Sequence, residues 1–478
     1  MRIVSGIVLA SALASNVSAE LASFRVEVDE RQLFLDDAGI ESIDGLQRTM
    51  HRPRKLGAVI RPRYLERAEG AIQTRSGPQW DAERGVYRLW LISPDCYESR
   101  DGLHWTPTEK RPNVGVISAV IDPHDPDPQR RYKGFVIQGR TREPVVSPDG
   151  IDWTKLDVDP ISSQDESNLS YDDVTRTFIA TVKHRGPYGR TVWLSTSKDF
   201  QAWTKPELIF HPDERDQELA KKVITARLAD PSLQKMFHVD SDVYNVQVYN
   251  MGVFRYEGLY IGLPAMFHST GNVPNYPNTD GFHVIQLTCS RDLRNWQRLG
   301  DREAFIGPSP VGAGAFDLTQ ILPPSRPIVR NDQLLFYYTG IKYRGTFNYI
   351  GEYPNGKVVP KTGLDRATGA ICLATLRRDG FVSLDADSQP GRVVTRAFPK
   401  PNGRLHVNAH LRGSGKLSVE AIDSDGVVVT TSQPIEGDQL RTEVEWQSEA
   451  GRALETIRLR FTLTEGRLYS YWYAGSTN

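Results

Sequence analysis

The chain has 478 residues, 58 of them basic and 59 acidic, for a formal charge of −1. Apolar residues make up 39%, and glycine raises the share to roughly 47%, an ordinary globular value that excludes disorder, collagen-like repeats and coiled coil. The near-zero balance lacks the electrostatic footprint of a nucleic-acid binder, and no such partner is expected.

Residues 1–19 read as an export signal. Arg2 supplies the positive start, Ile3 to Ala14 a short apolar run, and Val17-Ser18-Ala19 the small residues of a cleavage site. That run is too short to span a bilayer, and no later stretch approaches the ~20 apolar residues required. The expected location is therefore periplasmic or extracellular, without membrane insertion. Residues 20–60 form a strand-bearing lead-in packed on the domain that follows.

A repeat dominates the middle of the chain. Ser-x-Asp-x-x-x-Trp recurs at Ser99 to Trp105, Ser147 to Trp153, Ser197 to Trp203 and Ser290 to Trp296, with a degenerate copy at Arg377-Arg378-Asp379-Gly380-Phe381. The aspartates stand at 101, 149, 199, 292 and 379, so two spacings are near fifty residues and two are nearly doubled by insertions. About fifty residues per copy is one blade of a β-propeller. Ser and Asp bond their own backbone in such a turn, and the Trp packs under the next strand.

Aromatic-rich second strands precede the turns at Val86 to Leu91, Tyr132 to Ile137, Thr177 to Val182, Gly258 to Leu263 and Leu334 to Thr339. The fold class expected is all-β: a five-bladed β-propeller over 61–388, then a small C-terminal β-sandwich over 389–478, where short alternating strands are separated by Gly-rich turns. The most helix-like stretch is Glu214 to Lys235, inside a long interval. The three cysteines, Cys96, Cys289 and Cys372, share one face of equivalent strands and read as buried hydrophobes.

In a propeller, the starts of the first strands and the loops between second and third strands converge on one face. Strand starts offer the carboxylates Glu69, Asp165, Glu166, Asp240, Asp242 and Asp317. The loops offer Asp95, Arg140, Arg142, His184, Arg185, Arg190, His268, Asp280, His283, Lys342, Tyr343 and Arg344. Convergent carboxylates suit glycoside cleavage, one as acid and one as base or nucleophile. Like charges held close would keep one of them protonated near neutrality. Asp165 and Asp317 lead these catalytic roles, with Asp242 and Glu69 in reserve. His184, Arg185, Arg190, Arg140, Arg142, His268, Asp280, Asn250, Lys342, Tyr343 and Arg344 form the substrate-contact set. The arginines either neutralise the acids or grip an anionic sugar, uronate or sulfate. Glu257, at the far end of its strand, reads as structural. No CxxC or HExxH occurs and no cofactor is expected, although an Asp-lined axis is also a place for Ca²⁺.

The Ser-x-Asp turns, Arg31 to Asp37, His51-Arg52-Pro53, Tyr249 to Gly258, Phe316-Asp317 and Arg377 to Asp385 together resemble the five-bladed propeller superfamily of glycoside hydrolase families 32, 43 and 68, in particular its exported relatives in bacterial polysaccharide-degrading gene sets. The resemblance implies a glycosidase with carboxylates on the inner strands of the first three blades. This chain has no Trp-Met-Asn-Asp-Pro-like start to blade one and no Arg-Asp-Pro in blade two, and only Asp165 stands at a matching place. The expectation is an exported glycoside hydrolase acting on a polysaccharide or oligosaccharide, an anionic one if the arginines are ligands. Two alternatives stand beside it. One is a carbohydrate-binding propeller without catalysis. The other is a polysaccharide lyase with His184 or Tyr343 as base. A sialidase is a weaker match, because its Asp-box carries an extra residue.

Overall fold

The computed structural model describes residues 24–63, 71–273, 279–344, 351–352, 358–359, 367–448 and 454–475. The export signal and Glu69 lie outside these. The described chain is built almost wholly of antiparallel strands, with one α-helix, Glu214–Ala229.

Five sheets follow one another along the chain. The first is Gln79–Asp81, Val86–Trp90, Cys96–Ser99 and Thr106–Pro107. The second runs Ser118–Ile121, Tyr132–Gln138, Thr141–Ser147 and Thr154–Lys155. The third is Ser167–Asp172, Thr177–Gly186, Gly189–Ser197 and Glu207–Phe210. The fourth is Asn245–Tyr256, Leu259–Asn272, Thr288–Ser290 and Gln297–Arg298, with Thr279–Ile285 hairpinned onto its second strand. The fifth takes Gln320–Leu322, Gln333–Ile341 and Gly369–Arg377 from late in the chain, and its outer strand, Arg54–Ile60, from early in it. The lead-in thus supplies a strand to the fifth sheet, so the division at residue 60 separates paired strands.

The first strands meet around a shared axis lined by small polar side chains. Ser325 Oγ and Asn168 Nδ2 both donate to the Arg75 carbonyl, at 2.6 and 3.2 Å, and Asn250 Nδ2 donates to Asn168 Oδ1 at 3.0 Å. The turns join neighbouring sheets at their outer ends. Trp90 Nε1 of the first sheet donates to the Gly150 carbonyl of the second at 2.7 Å, and Tyr337 of the fifth donates to the Gly102 carbonyl of the first. The same device therefore joins last sheet to first.

In each turn the aspartate accepts from two backbone N–H groups: Asp149 Oδ1 from Ile151 and Asp152 at 2.8 and 2.9 Å, Asp292 Oδ1 from Arg294 and Asn295 at 2.8 and 2.7 Å. The next residue has positive φ, 71° at Gly150 but 60° at Phe200, where a buried ring offsets the strain. Burial opposes ionisation of Asp149, but the two N–H donors and Ser147 Oγ hold its carboxyl below the usual range. Asp149→Ala is expected to cost about 1–3 kcal/mol by orphaning those donors. Because the folded-state pKa is depressed, that contribution is present above the unfolded carboxyl pKa and fades as pH falls through the folded value. Urea unfolding of wild type and variant should converge as pH drops from 5 towards 2.

The helix stops at Ala229, short of the expected Lys235, because Asp230 precedes Pro231 and a residue before proline is pushed out of the helical region. Its start is a capping box in which Asp213 Oδ1 accepts from Asp216 N at 2.9 Å and Asp216 Oδ2 from Asp213 N at 3.0 Å.

Beyond Arg377 two six-stranded sheets face each other over a core that includes Phe34, Leu384, Val393, Val407, Val419, Phe461 and Tyr471. Lead-in strands Gln32–Leu33 and Gln47–Met50 join one sheet and Ile40–Asp44 the other. The three cysteines are buried and free. No helix among the described residues is long and apolar enough to cross a membrane.

Candidate active site

At the end where the first strands begin lies a cavity of about 700 Å³. Its lining comes from three consecutive sheets: Gly139 and Arg140 from the hairpin of the second, Gln164 and Asp165 ahead of the third, Arg185, Gly189 and Arg190 from the hairpin of the third, and Gln247, Asn272 and Thr279 from the fourth. Three arginines surround one carboxylate.

Asp165 is exposed to the cavity and paired through Oδ1 with Lys183 Nζ at 2.5 Å. Burial alone would raise its pKa, but the charge and hydrogen bond of Lys183 outweigh it, and the carboxyl is held below its ordinary range. Lys183 is buried beneath, its ammonium 3.8 Å from the Tyr249 ring centroid. Desolvation pulls its pKa down to about 8 despite Glu166 and Asp165. Glu166 is turned inward and gripped by Arg75, Nε to Oε2 at 2.5 Å and Nη2 to Oε1 at 2.6 Å. Each carboxylate thus has its own cation, and Asp165 is not the raised, protonated partner that close like charges would have made.

The guanidinia are held by oxygen acceptors. Arg190 Nη1 donates to Gln247 Oε1 at 3.0 Å. Arg142, fully buried below the floor, donates to Ser167 Oγ at 2.8 Å and to the Gln164 carbonyl at 2.6 Å. Arg344 Nε donates to the Thr279 carbonyl at 3.0 Å and its guanidinium covers the Phe267 ring at 4.1 Å. Arg140 and Arg185 are exposed at the rim.

The other expected residues lie elsewhere. Asp317 does not line the cavity; it is buried in the fifth sheet, accepting from Lys55 Nζ at 2.7 Å and Tyr338 Oη at 2.8 Å. Asp242 is exposed on the short turn Ser241–Val243. His184 meets the Ser162 carbonyl at 2.9 Å and sits edge-on to Trp193. His268 is buried and stacked on Phe282, and desolvation lowers its pKa to about 4, so it is neutral at physiological pH. Asp280 is buried behind it, accepting from the backbone of Phe237 and His238. Asn250 is on the axis. Lys342 is buried with its ammonium over the Phe316 ring at 4.2 Å, and Tyr343 is partly buried beside it. Glu257 accepts from Arg31 N at 3.0 Å, a structural contact.

Lys183, Gln164, Gln247 and Tyr249 were missed. A lysine closing the apolar run Phe178 to Val182 is a signal for Lys183, since on a strand it shares a face with Arg185. Among the described residues, no group of three or more His, Cys, Asp or Glu is placed to hold a metal ion.

No family model matches the chain, and no curated protein matches it by sequence. Solved structures similar to it include an N-acetylgalactosamine deacetylase from F. plautii in complex with blood group B trisaccharide, at 16% identity and a TM-score of 0.39, over 70% of this chain and 97% of that one. A Bombyx mori GH32 β-fructofuranosidase matches at 12% identity and a TM-score of 0.39, over 89% and 95%. A family 43 arabinoxylan arabinofuranohydrolase from Bacillus subtilis matches at 10% identity and a TM-score of 0.37, over 88% and 99%.

Proposed function

We propose that this chain is an exported glycoside hydrolase, a five-bladed β-propeller with a C-terminal β-sandwich, that cleaves a uronate-bearing or sulfated glycan at the cavity around Asp165. The five sheets would be the blades and the two six-stranded sheets the sandwich. The observation that carries the reading is one ionised carboxylate set among arginines in an open, strongly polar cavity. A carboxylate held deprotonated by Lys183 fits the base or nucleophile of glycoside hydrolysis, not the acid. Arg140, Arg185 and Arg190 fit the planar oxygens of a carboxylate or sulfate.

The test is a product screen of the mature protein on neutral, uronate-rich and sulfated glycans, following reducing ends and unsaturated-uronate absorbance. Reducing ends without unsaturation, confined to the anionic glycans, are expected. Unsaturation would mark a lyase. A binding-only propeller is the second reading, and a specific observation favours it: among the described residues the cavity presents a single carboxylate.

Lys183 gives the site a pH signature. It is a cation below about pH 8 and neutral above, so the cavity loses a positive charge as pH rises through that value. Affinity for a uronate oligosaccharide, followed by calorimetry from pH 6 to 9.5, is expected to weaken across the step. In Lys183→Met the step should be absent.

A further inference from the structure

The opposite end of the axis carries a second pocket, of about 470 Å³. It gathers the far ends of first strands, at Trp80, Ile121 and Tyr171, and the segment Arg326 to Val329 of the fifth sheet. The first strand of the third sheet runs Ser167–Asp172, with Asp165 just before it and Tyr171 near its end. At ~3.3 Å per residue, the two openings are roughly 20 Å apart.

Trp80 is the conspicuous residue. It alternates with buried Gln79 and Asp81 on its strand and is 50% exposed, with its ring 4.8 Å from that of Tyr87. Pro123, Pro327, Ile328 and Val329 line the pocket with the aromatic pair, and charged groups interrupt this apolar lining. Arg131, Asp173 and Arg326 line the same pocket. Arg131 is balanced by Asp81 at 2.9 Å and by Glu83. Arg326 makes no hydrogen bond or ion pair among the described residues, and desolvation lowers its pKa against the attraction of Asp173. The charges here are matched, whereas the cavity at the other end is cationic.

An open indole face beside matched donors and acceptors suits a ligand that is itself two-faced: one side of C–H groups and an edge of hydroxyls. A pyranose ring has that form, and balanced charge selects a neutral one. An apolar peptide segment would leave Arg326 and Asp173 desolvated and poorly paired, which is costly. We propose that the pocket around Trp80 is a neutral-saccharide site, separate from the Asp165 cavity, that would hold the protein on a polysaccharide. It does not depend on the Asp165 reading.

Affinity electrophoresis tests it, in gels containing hydroxyethylcellulose, xyloglucan, galactomannan or arabinoxylan and in a polymer-free gel. Wild type and Asp165→Asn should both be retarded by at least one neutral polymer. Trp80→Ala should lose tenfold or more in affinity, and Trp80→Phe should keep most of it. Trp80 is half exposed, so the alanine variant should retain the wild-type circular dichroism and thermal midpoint. Retardation by no polymer, or retardation that Trp80→Ala leaves intact, would overturn the proposal. Loss of retardation in Asp165→Asn would assign the binding to the other cavity. A dimer in light scattering that Trp80→Ala turns into a monomer would make the patch a self-association surface instead.

Discussion

Asp379→Ala is expected to be the most destabilising single substitution in the chain outside the apolar cores, at about 3–5 kcal/mol, because it strands a buried cation. Asp379 is fully buried. Its Oδ2 accepts from Arg31 Nη1 at 2.6 Å, Ser470 Oγ at 2.6 Å and Asn408 Nδ2 at 3.1 Å, and its Oδ1 from Tyr256 Oη at 2.6 Å. These partners come from the lead-in, two paired inner strands of the C-terminal sheet and the fourth sheet, so one carboxylate ties together segments distant in sequence. Arg31 also lies over Trp472 at 3.7 Å. Asp379→Asn keeps the shape, loses the charge and should cost less than alanine. Urea unfolding measures both, as a lower midpoint at unchanged slope. A loss below about 1 kcal/mol for alanine would mean that Arg31 finds water or Glu257 instead.

That hub shows what the sequence made legible and what it concealed. The repeat placed the first four turns correctly, because each is local: Ser, Asp and the following N–H groups lie within four residues. Asp379 also occupies the repeat position, but it carries the positive φ itself, 63°, where in the other turns the residue after the aspartate does. Its hydrogen bonds, however, go to residues 31, 256, 408 and 470, and nothing local announces them. The second strands were legible for the same local reason, as aromatic runs. The outer strand of the fifth sheet was not, since Arg54–Ile60 pairs with Gly369–Arg377 some 300 residues away. At the candidate site, strand geometry brought Arg140, Asp165, Arg185 and Arg190 together as expected from loop position. Asp317 defeated the same logic, because whether a strand-start carboxylate faces a cavity or a partner cation depends on Lys55, which is carried by that distant strand.

The variant with the largest expected effect on chemistry is Asp165→Asn. If the carboxylate activates water or attacks the sugar, the amide can do neither, and reducing-end release should fall by about 10³-fold. Binding should move the other way. Removing a negative charge leaves Lys183 and three arginines unopposed, so a uronate or sulfated oligosaccharide should bind at least as tightly as to wild type. A large loss of turnover without loss of affinity separates a chemical role from a structural one. Asp317→Asn is the comparison: it removes the charge facing Lys55 and should lower thermal stability, while turnover stays within a few-fold of wild type. Turnover that survives in Asp165→Asn would move the reaction centre out of this cavity. Wild-type protein that binds the anionic glycans, releases no product, and loses nothing on either substitution would establish the binding propeller in place of the hydrolase.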